Sequence, residues 1–552
     1  MLLTGAEILV KTLIDEGVDT IFGYPGGAVL NIYDELYKSK DKINHILTCH
    51  EQNAAHAADG YSRATGKVGV CLATSGPGAT NLVTGIATAY MDSIPLIAIT
   101  GNVTKPLLGK DSFQEVDIYG ITMPITKHNY IVKDVRDLQR VIREAFKIAK
   151  EGRPGPVLID IPKDITANKA IYEEEIACTI KKAKKNYDDL NVLIDLINKS
   201  KKPFIYAGGG IIASNASKEL LEFGEKIDSP ICTSLMAQSA IDNNHRLYTG
   251  MIGMHGTKAS NITATKCDLL ITLGARFSDR VVSSGEHLGN AKIIQIDVDP
   301  AEINKNIKVD AHVIGDLKEV LKLLTENINE SKKIEWNKAV NSLKTESNDN
   351  SLENLTPEFL FRTLNSLDDG KMLITTEVGQ HQMWAAQYFS FKSPRSFISS
   401  GGLGTMGYGL GASIGAKIGK PESTVINIAG DGSFGMNSNE FATAVKNKLP
   451  IIVIIMNNNA LGMVRQWQTF FYDGRYSETT LDRQTDFVKL AEAYGGVGYR
   501  VTKRSELKEV LEEALKSKVP VVIDYLINND KKVFPMVAPG APINQIISEE
   551  DV

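Results

Sequence analysis

GDGSFGMNSNEFATAVKNKLPIIVIIMNNNALGMVRQW, residues 430–467, decides the fold of this 552-residue chain. The β-branched run leading into it, 425–429, predicts a buried strand that ends at Gly430-Asp431-Gly432. A second apolar run, 451–456, predicts another strand, ending at Asn457-Asn458. Between them, 440–448 has the spacing of a short helix. Strand, helix, strand in this order implies a right-handed crossover between two parallel strands. Asp431 and Asn458 then emerge at one carboxyl edge of one sheet, where open α/β sheets bind ligands. A carboxylate and an amide are both hard oxygen donors. With one backbone carbonyl, that of Ala460, and the oxygens of a bound diphosphate, they complete an octahedral Mg²⁺ site. Gly430 and Gly432 let the backbone approach a diphosphate closely, and the amides after Asp431 can donate to it.

GDG followed, after 24 intervening residues, by Asn-Asn resembles the thiamine diphosphate motif. The continuation NALGMVRQW, 459–467, is similar to the acetohydroxyacid synthase branch of that family. The resemblance extends over nearly the whole chain. It implies an α/β fold of three doubly wound domains with parallel sheets: 1–170 binding the pyrimidine, 190–330 binding FAD, and 355–552 binding diphosphate and Mg²⁺.

Bulk properties agree with a multidomain enzyme. The length exceeds what one core supports. The composition, 43% hydrophobic and 23% charged, is that of a globular protein, and a net charge of −5 leaves no basic footprint for nucleic acid. No apolar run approaches the ~18 residues of a membrane span. The amino terminus reads as a helix rather than a secretory signal. Cys49, Cys71, Cys178, Cys232 and Cys267 are scattered, with no CxxC pair, which suits reduced thiols in a cytoplasmic protein.

In chain order, Thr4 and Glu7 form a capping box that opens a helix ended at Gly17. The segment 49–81, CHEQNAAHAADGYSRATGKVGVCLATSGPGATN, holds an alanine-rich helix that another backbone can approach closely, then a buried strand. On the residues alone Glu51 is a first-turn glutamate favoured by the helix dipole. The HEQNAAHAADGYSRATG setting resembles that of the thiamine enzymes. It implies that Glu51 hydrogen-bonds the cofactor's aminopyrimidine and shares a proton with its ring nitrogen. By the same resemblance Phe113, Gln114, Lys127 and Lys163 line the substrate channel, with Phe113, Gln114 and Lys127 near the reacting centre and Lys163 at the channel mouth.

Residues 168–190 read as a charged, strandless linker, and 332–353 as a second, polar linker. Between the linkers, several strands end in glycine turns or in acidic residues, at Gly208-Gly209, Gly274 and Asp297. Glycine turns suit a pyrophosphate and acidic residues suit ribose hydroxyls, so this domain suggests a dinucleotide site by itself. The resemblance makes the dinucleotide FAD. It places FAD against Arg153, Gly208, Gly209, Leu235, Met236, Gly253, Met254, His255, Gly274, Arg276, Arg280, Asp297 and Asp316.

The literal GxGxxG at 402–407 lacks the acidic ribose residue of an NAD site. By resemblance its Met406 props thiamine diphosphate in a bent shape, and Gly404 lies beside it. Val378, Gly379, Gln380, His381, Gly432, Ser433, Leu461 and Gly462 complete the contacts to that cofactor. Trp467 and Met463 are implied to pack on the acceptor 2-oxo acid, and Arg280 to hold its carboxylate.

The implied reaction decarboxylates pyruvate and joins the two-carbon unit to a second pyruvate or to 2-oxobutyrate. The products are 2-acetolactate and 2-aceto-2-hydroxybutyrate, precursors of branched-chain amino acids. A flavin-linked pyruvate oxidase and a non-catalytic dinucleotide-binding regulator are the alternatives. Family members share each cofactor between the first domain of one subunit and the third of its partner. A homodimer or a dimer of dimers is therefore expected, with a separate regulatory small subunit.

Overall fold

The computed structural model describes residues 1–174, 187–281, 288–344 and 354–551. Three six-stranded sheets dominate these residues, and every strand pair in them is parallel. The first runs, in spatial order, Asn44–Leu47, Thr20–Gly23, Gly69–Ala73, Leu96–Asn102, Pro156–Pro162, His128–Ile131. The third runs Phe397–Ile398, Met372–Thr376, Thr424–Gly430, Ile452–Asn457, Val521–Leu526, Val497–Val501. Numbered along the chain within each sheet, both have the order 2-1-3-4-6-5. The order reverses between their first and third strands, and ligands bind at such a switch point. The middle sheet has the order 3-2-1-4-5-6, that of dinucleotide-binding domains. Its switch point lies between Pro203–Ala207 and Leu269–Leu273.

The central strands are buried on both faces, as parallel strands covered by crossover helices must be, and so they read as unbroken apolar runs. The Thr4–Glu7 capping box forms, and Gly17 follows the first helix at a φ of 80°.

Three expectations change. The linker at 168–190 is not strandless: Lys169–Ile171 pairs antiparallel with Leu2–Thr4, tying the end of the first domain to its beginning. The remainder of that stretch, 175–186 with Cys178, lies outside the described residues. The second linker contains a helix, Ile334–Asn341. Its Trp336 is buried and donates to the Pro203 carbonyl at 2.9 Å, so this segment packs on the middle domain. Residues 345–353 lie outside the described residues. The crossover helix, expected over 440–448, is preceded by a helix that starts directly at the motif. Asp431–Asn437 is helical, Ser438–Glu440 forms a 3₁₀ turn, and Phe441–Lys446 continues.

First and third domains meet along two helices. Glu51–Thr65, the alanine-rich helix, crosses Gly409–Gly419 at near-contact of backbones. A methyl group added at Gly415 would lie 1.8 Å from the Ala57 carbonyl oxygen, and one at Gly60 would lie 2.2 Å from that of Ala412. Neither carbonyl can yield without moving its helix. Gly415→Ala is therefore expected to destabilise the protein by about 1–3 kcal/mol, read as a lowered thermal transition. Gly27→Ala, where the added methyl meets nothing within 4 Å, serves as the control. Beside the crossing, buried Arg63 bridges Asp59 at 2.6 Å and Asp92 at 2.9 Å and donates to the Ser399 carbonyl. Asp92 accepts the Gly401 and Gly402 amides, so this network sets the start of the glycine loop that carries Met406. A buried arginine left without its carboxylates would be costly, so the loop inherits the rigidity of the pair.

Candidate active site

At the switch point of the third sheet, three strand ends converge. Met372–Thr376 runs into Glu377, Val378 and Gly379, and then into the helix Gln380–Tyr388. Thr424–Gly430 runs into Asp431, and Ile452–Asn457 into Asn458. Gly430 pairs with Met456, so the chain leaves the two strands at neighbouring positions of the same edge. The residues brought together are those expected from the motif.

Asp431 is 6% exposed, and its Oδ1 finds no hydrogen-bond partner among the described residues. Burial pushes its carboxyl up to about 6, while backbone amides of Asp431, Gly432 and Asn459 draw it back down. A buried carboxylate oxygen without a donor is costly, and a divalent cation is one partner that removes the cost. Asn458 is held by two bonds: its Oδ1 accepts the Ala460 amide at 3.1 Å, and its Nδ2 donates to Gln380 Oε1 at 3.3 Å. Gln380 Nε2 donates in turn to Gln466 Oε1 at 2.9 Å. The 458–462 loop is pinned from outside as well, Leu461 donating to the Thr479 carbonyl and Leu481 to that of Asn459, each at 2.8 Å. The Ala460 carbonyl is thus presented by a fixed loop. No group of three or more His, Cys, Asp or Glu side chains among the described residues is able to hold a metal by itself. A cation here would share amide, carbonyl and phosphate oxygens, as Mg²⁺ does.

The glycines of this edge exist for close approach. A methyl at Gly462 would come 2.0 Å from Gln380 Oε1, and one at Gly430 would come 2.8 Å from the His381 ring. Burial pushes His381 down to about 3, so it is a neutral ring, and its Nε2 finds no partner among the described residues. Gly432 and Ser433 open the helix Asp431–Asn437, with their amides facing the end where an anion is favoured by the open N–H groups. Met406 sits on a loop anchored on both sides: the Thr405 amide donates to Ser400 Oγ at 3.0 Å, and Asn437 Nδ2 donates to the Gly407 carbonyl at 2.7 Å. These donors and the partnerless Asp431 oxygen fit a magnesium-bridged diphosphate.

Glu377 had no signal in the sequence beyond its place before Val378. It is fully buried; its Oε1 accepts the Leu410 amide at 3.0 Å, and its Oε2 accepts from Ser433 Oγ at 3.4 Å. Burial pushes its carboxyl up to about 7, against the hydrogen bonds that lower it. The folded chain thus keeps a proton that the unfolded chain has lost above about pH 4. This group's contribution to stability is largest at low pH and declines as pH rises towards 7. Glu377→Gln, which can still accept from Leu410 and donate to Ser433, removes that decline. Thermal scans at pH 5.5 and 8 should show a smaller drop for the variant than for the wild type.

Glu51 is the first residue of its helix, 9% exposed, with Oε2 accepting from Asn81 Nδ2 at 2.9 Å. It lies in the first domain and does not line the large cavity of the same chain. That cavity, of about 1610 Å³, starts at the switch point of the middle sheet and ends at Val378, Gly379 and Gly404 of the third domain. Arg153, Gly209, Leu235, Met236, Met254, His255, Gly274, Arg276, Arg280, Asp297 and Asp316 all line it, as do Met463 and Trp467. Gly208 and Gly253 stand just behind the wall. A methyl at Gly208 would meet the Gly274 carbonyl oxygen at 2.2 Å, and one at Gly253 would meet that of Arg280 at 2.5 Å. Arg280 lies over the Trp467 ring, 5.8 Å from its centroid. Arg153 is fixed by Glu302 at 2.9 Å and Ser93 at 2.8 Å, two partners that no local sequence pattern marks.

The expected channel residues are placed apart from this cavity. Phe113 is 88% exposed, Gln114 takes a φ of 57° against Gly76, and Lys163 is exposed. Lys127 donates to the carbonyls of Ile148 and Glu151, capping the helix Leu138–Lys150, and burial lowers it to about 8.

Comparison with known proteins decides the family. Three family models match in succession: the thiamine pyrophosphate enzyme N-terminal TPP binding domain at 3–121, the central domain at 190–324, and the C-terminal TPP binding domain at 377–525. The chain is 47% identical to a probable acetolactate synthase large subunit of Methanocaldococcus jannaschii, covering 98% of this chain and 95% of that protein. It is 45% identical to the acetolactate synthase large subunit of Buchnera aphidicola subsp. Acyrthosiphon pisum, over 99% and 98% respectively. With that of Cyanidium caldarium the identity is 45%, over 99% and 96%.

The chain belongs to the acetolactate synthase large-subunit family.

Membership makes it a thiamine diphosphate-dependent enzyme and accounts for the three sheets in their order. The switch point of the third sheet, with Asp431 and Asn458, lies in the matched C-terminal TPP binding domain, and Glu51 lies in the matched N-terminal one. No helix among the described residues is long and apolar enough to cross a membrane. Cys49, Cys71, Cys232 and Cys267 are free thiols.

Proposed function

We propose that this chain is the catalytic subunit of an acetolactate synthase. It decarboxylates pyruvate and transfers the two-carbon unit to pyruvate or 2-oxobutyrate, giving 2-acetolactate or 2-aceto-2-hydroxybutyrate for branched-chain amino acid synthesis. The observation that carries the reading is the partnerless carboxylate oxygen of Asp431 beside Asn458 at a buried switch point. Asp431, Asn458 and the Ala460 carbonyl would hold Mg²⁺, and Gln380, His381, Gly432, Ser433, Leu461 and Gly462 would receive the diphosphate. Thiamine diphosphate supplies the electron sink for decarboxylation. Glu51 of the neighbouring subunit holds and returns the proton at the pyrimidine ring. Met406, Val378 and Gly404 shape the wall around the cofactor, and apolar neighbours keep water from the reacting carbon.

FAD would occupy the middle-domain cavity, with Gly209 and Gly274 in the wall that would receive its pyrophosphate and Gly208 packed behind them. The strand order 3-2-1-4-5-6 and the cavity's size support this. The same features favour one alternative, a flavin-linked pyruvate oxidase. The Arg280–Trp467 pair in the cavity favours the synthase, because a guanidinium over an indole offers a carboxylate clamp and an apolar wall to a second 2-oxo acid. A homodimer, or a dimer of dimers, completes the sites. A separate small subunit is the expected partner, since the relatives are large subunits. A reducing cytoplasm suits the free thiols.

One assay tests the reading: purified protein with Mg²⁺, thiamine diphosphate, FAD and pyruvate, scored for acetolactate. Acetolactate formation is expected. Acetate or a reduced dye without acetolactate would favour the oxidase, and no turnover would contradict both.

A further inference from the structure

The crossover that begins at Asp431 also reaches back to the first domain. Glu440, nine residues on, closes the 3₁₀ turn Ser438–Glu440 and is fully buried. Its two oxygens accept the Cys49 amide at 3.1 and 3.2 Å, and Oε1 accepts from Thr443 Oγ1 at 2.5 Å. The Thr443 hydroxyl also lies 3.4 Å from the Leu47 carbonyl oxygen and 3.6 Å from the Cys49 sulfur. Cys49 stands two residues before Glu51, and His50 is the N-cap of the helix that Glu51 opens. The backbone that aims Glu51 is therefore suspended from a carboxylate of the third domain. Among the described residues Glu440 has no ionic partner, and burial pushes its carboxyl up while Thr443 and Cys49 draw it down. Desolvating a carboxylate for packing alone is costly, whereas a charge-assisted bond to a backbone amide fixes that amide more firmly than a neutral one.

We infer that Glu440, with Thr443, is a positioning residue for Glu51, and that one crossover therefore carries the metal-side acid of one site and the anchor of the acid serving the other. The inference rests on the proposed role of Glu51. The anchor itself can be read without any cofactor.

In the unloaded protein, Glu440→Ala should speed backbone amide hydrogen exchange over residues 47–53 by about ten- to a hundredfold, while residues 138–150 exchange as in the wild type. In the loaded protein, exchange of the thiamine C2 proton should slow about tenfold or more, with Mg²⁺ and thiamine diphosphate affinities within about twofold of wild type. Glu440→Gln, whose amide oxygen can still accept from Cys49, should restore most of both effects. Thr443→Val, which keeps Glu440 but removes its fixing hydroxyl, should give intermediate values and decides the matter if Glu440→Ala does not fold. Wild-type protection over 47–53 in Glu440→Ala, or in Thr443→Val where Glu440→Ala does not fold, would overturn the inference. So would altered protection with C2 exchange unchanged, or a C2 loss that merely follows lost cofactor binding. Absence of C2 exchange in the wild type would instead sink the functional reading and leave the anchor standing on the unloaded measurement.

Discussion

With Glu51 replaced by Gln, exchange of the C2 proton of bound thiamine diphosphate should slow by about 10²–10⁴-fold, the span that a positioned acid–base group contributes. Glutamine keeps the shape of the side chain and can still accept the Asn81 amide through its oxygen, a bond of 2.9 Å in the wild type. It cannot take up and return a proton. The helix Glu51–Thr65 is held by its crossing with Gly409–Gly419, not by the Glu51 carboxylate, so folding and cofactor affinity should remain near wild type. Acid-quenched exchange into deuterium oxide, read by proton NMR, measures the rate directly. An unchanged rate would remove the acid–base role from Glu51.

Asp431→Ala should abolish Mg²⁺-dependent binding of thiamine diphosphate. The wild-type carboxylate is buried with one oxygen unsatisfied, so the unloaded protein carries its desolvation cost. Removing the group relieves that cost and removes a metal ligand at once. The variant should accordingly melt no lower than the unloaded wild type, and should lose the upward shift that Mg²⁺ with cofactor gives the wild type, about 2.7 kcal/mol at a hundredfold excess over the dissociation constant. Calorimetric scans with and without ligands separate the two effects. A ligand-induced shift of wild-type size in Asp431→Ala would show that the metal is held elsewhere.

Much of this architecture was readable in the sequence because parallel strands buried on both faces leave continuous apolar runs. Residues 425–429 and 451–456 are such runs, and each ends where the sheet edge does. The helix at Asp431–Asn437 was hidden because DGSFGMN contains two glycines and no strong helix-forming stretch; its formation is enforced by the strand ends around it. The three-residue strand Lys169–Ile171 has too few positions to show a period, and the helix Ile334–Asn341 buries two residues, Trp336 and Val340, one turn apart, with its Ile334 exposed. The site followed the same division. Asp431, Asn458 and the glycines carry local spacing that spells out their chemistry. Glu302, Glu377 and Glu440 act through partners 33 to 391 positions away, as in the bond from the Cys49 amide to Glu440, and no window of sequence shows such a pairing. The shared order 2-1-3-4-6-5 of the first and third sheets was likewise invisible, since it resides in pairing and not in residue type.

The central claim is that Asp431 of one chain and Glu51 of another serve the same cofactor, and mixing two dead chains tests it most directly. Co-expressed Glu51→Gln and Asp431→Ala chains should form hybrid dimers in which one site is doubly damaged and the other intact. Acetolactate formation should then recover to about a quarter of wild type, hybrids making up about half of the dimers. Purified hybrids as inactive as either parent would contradict the claim.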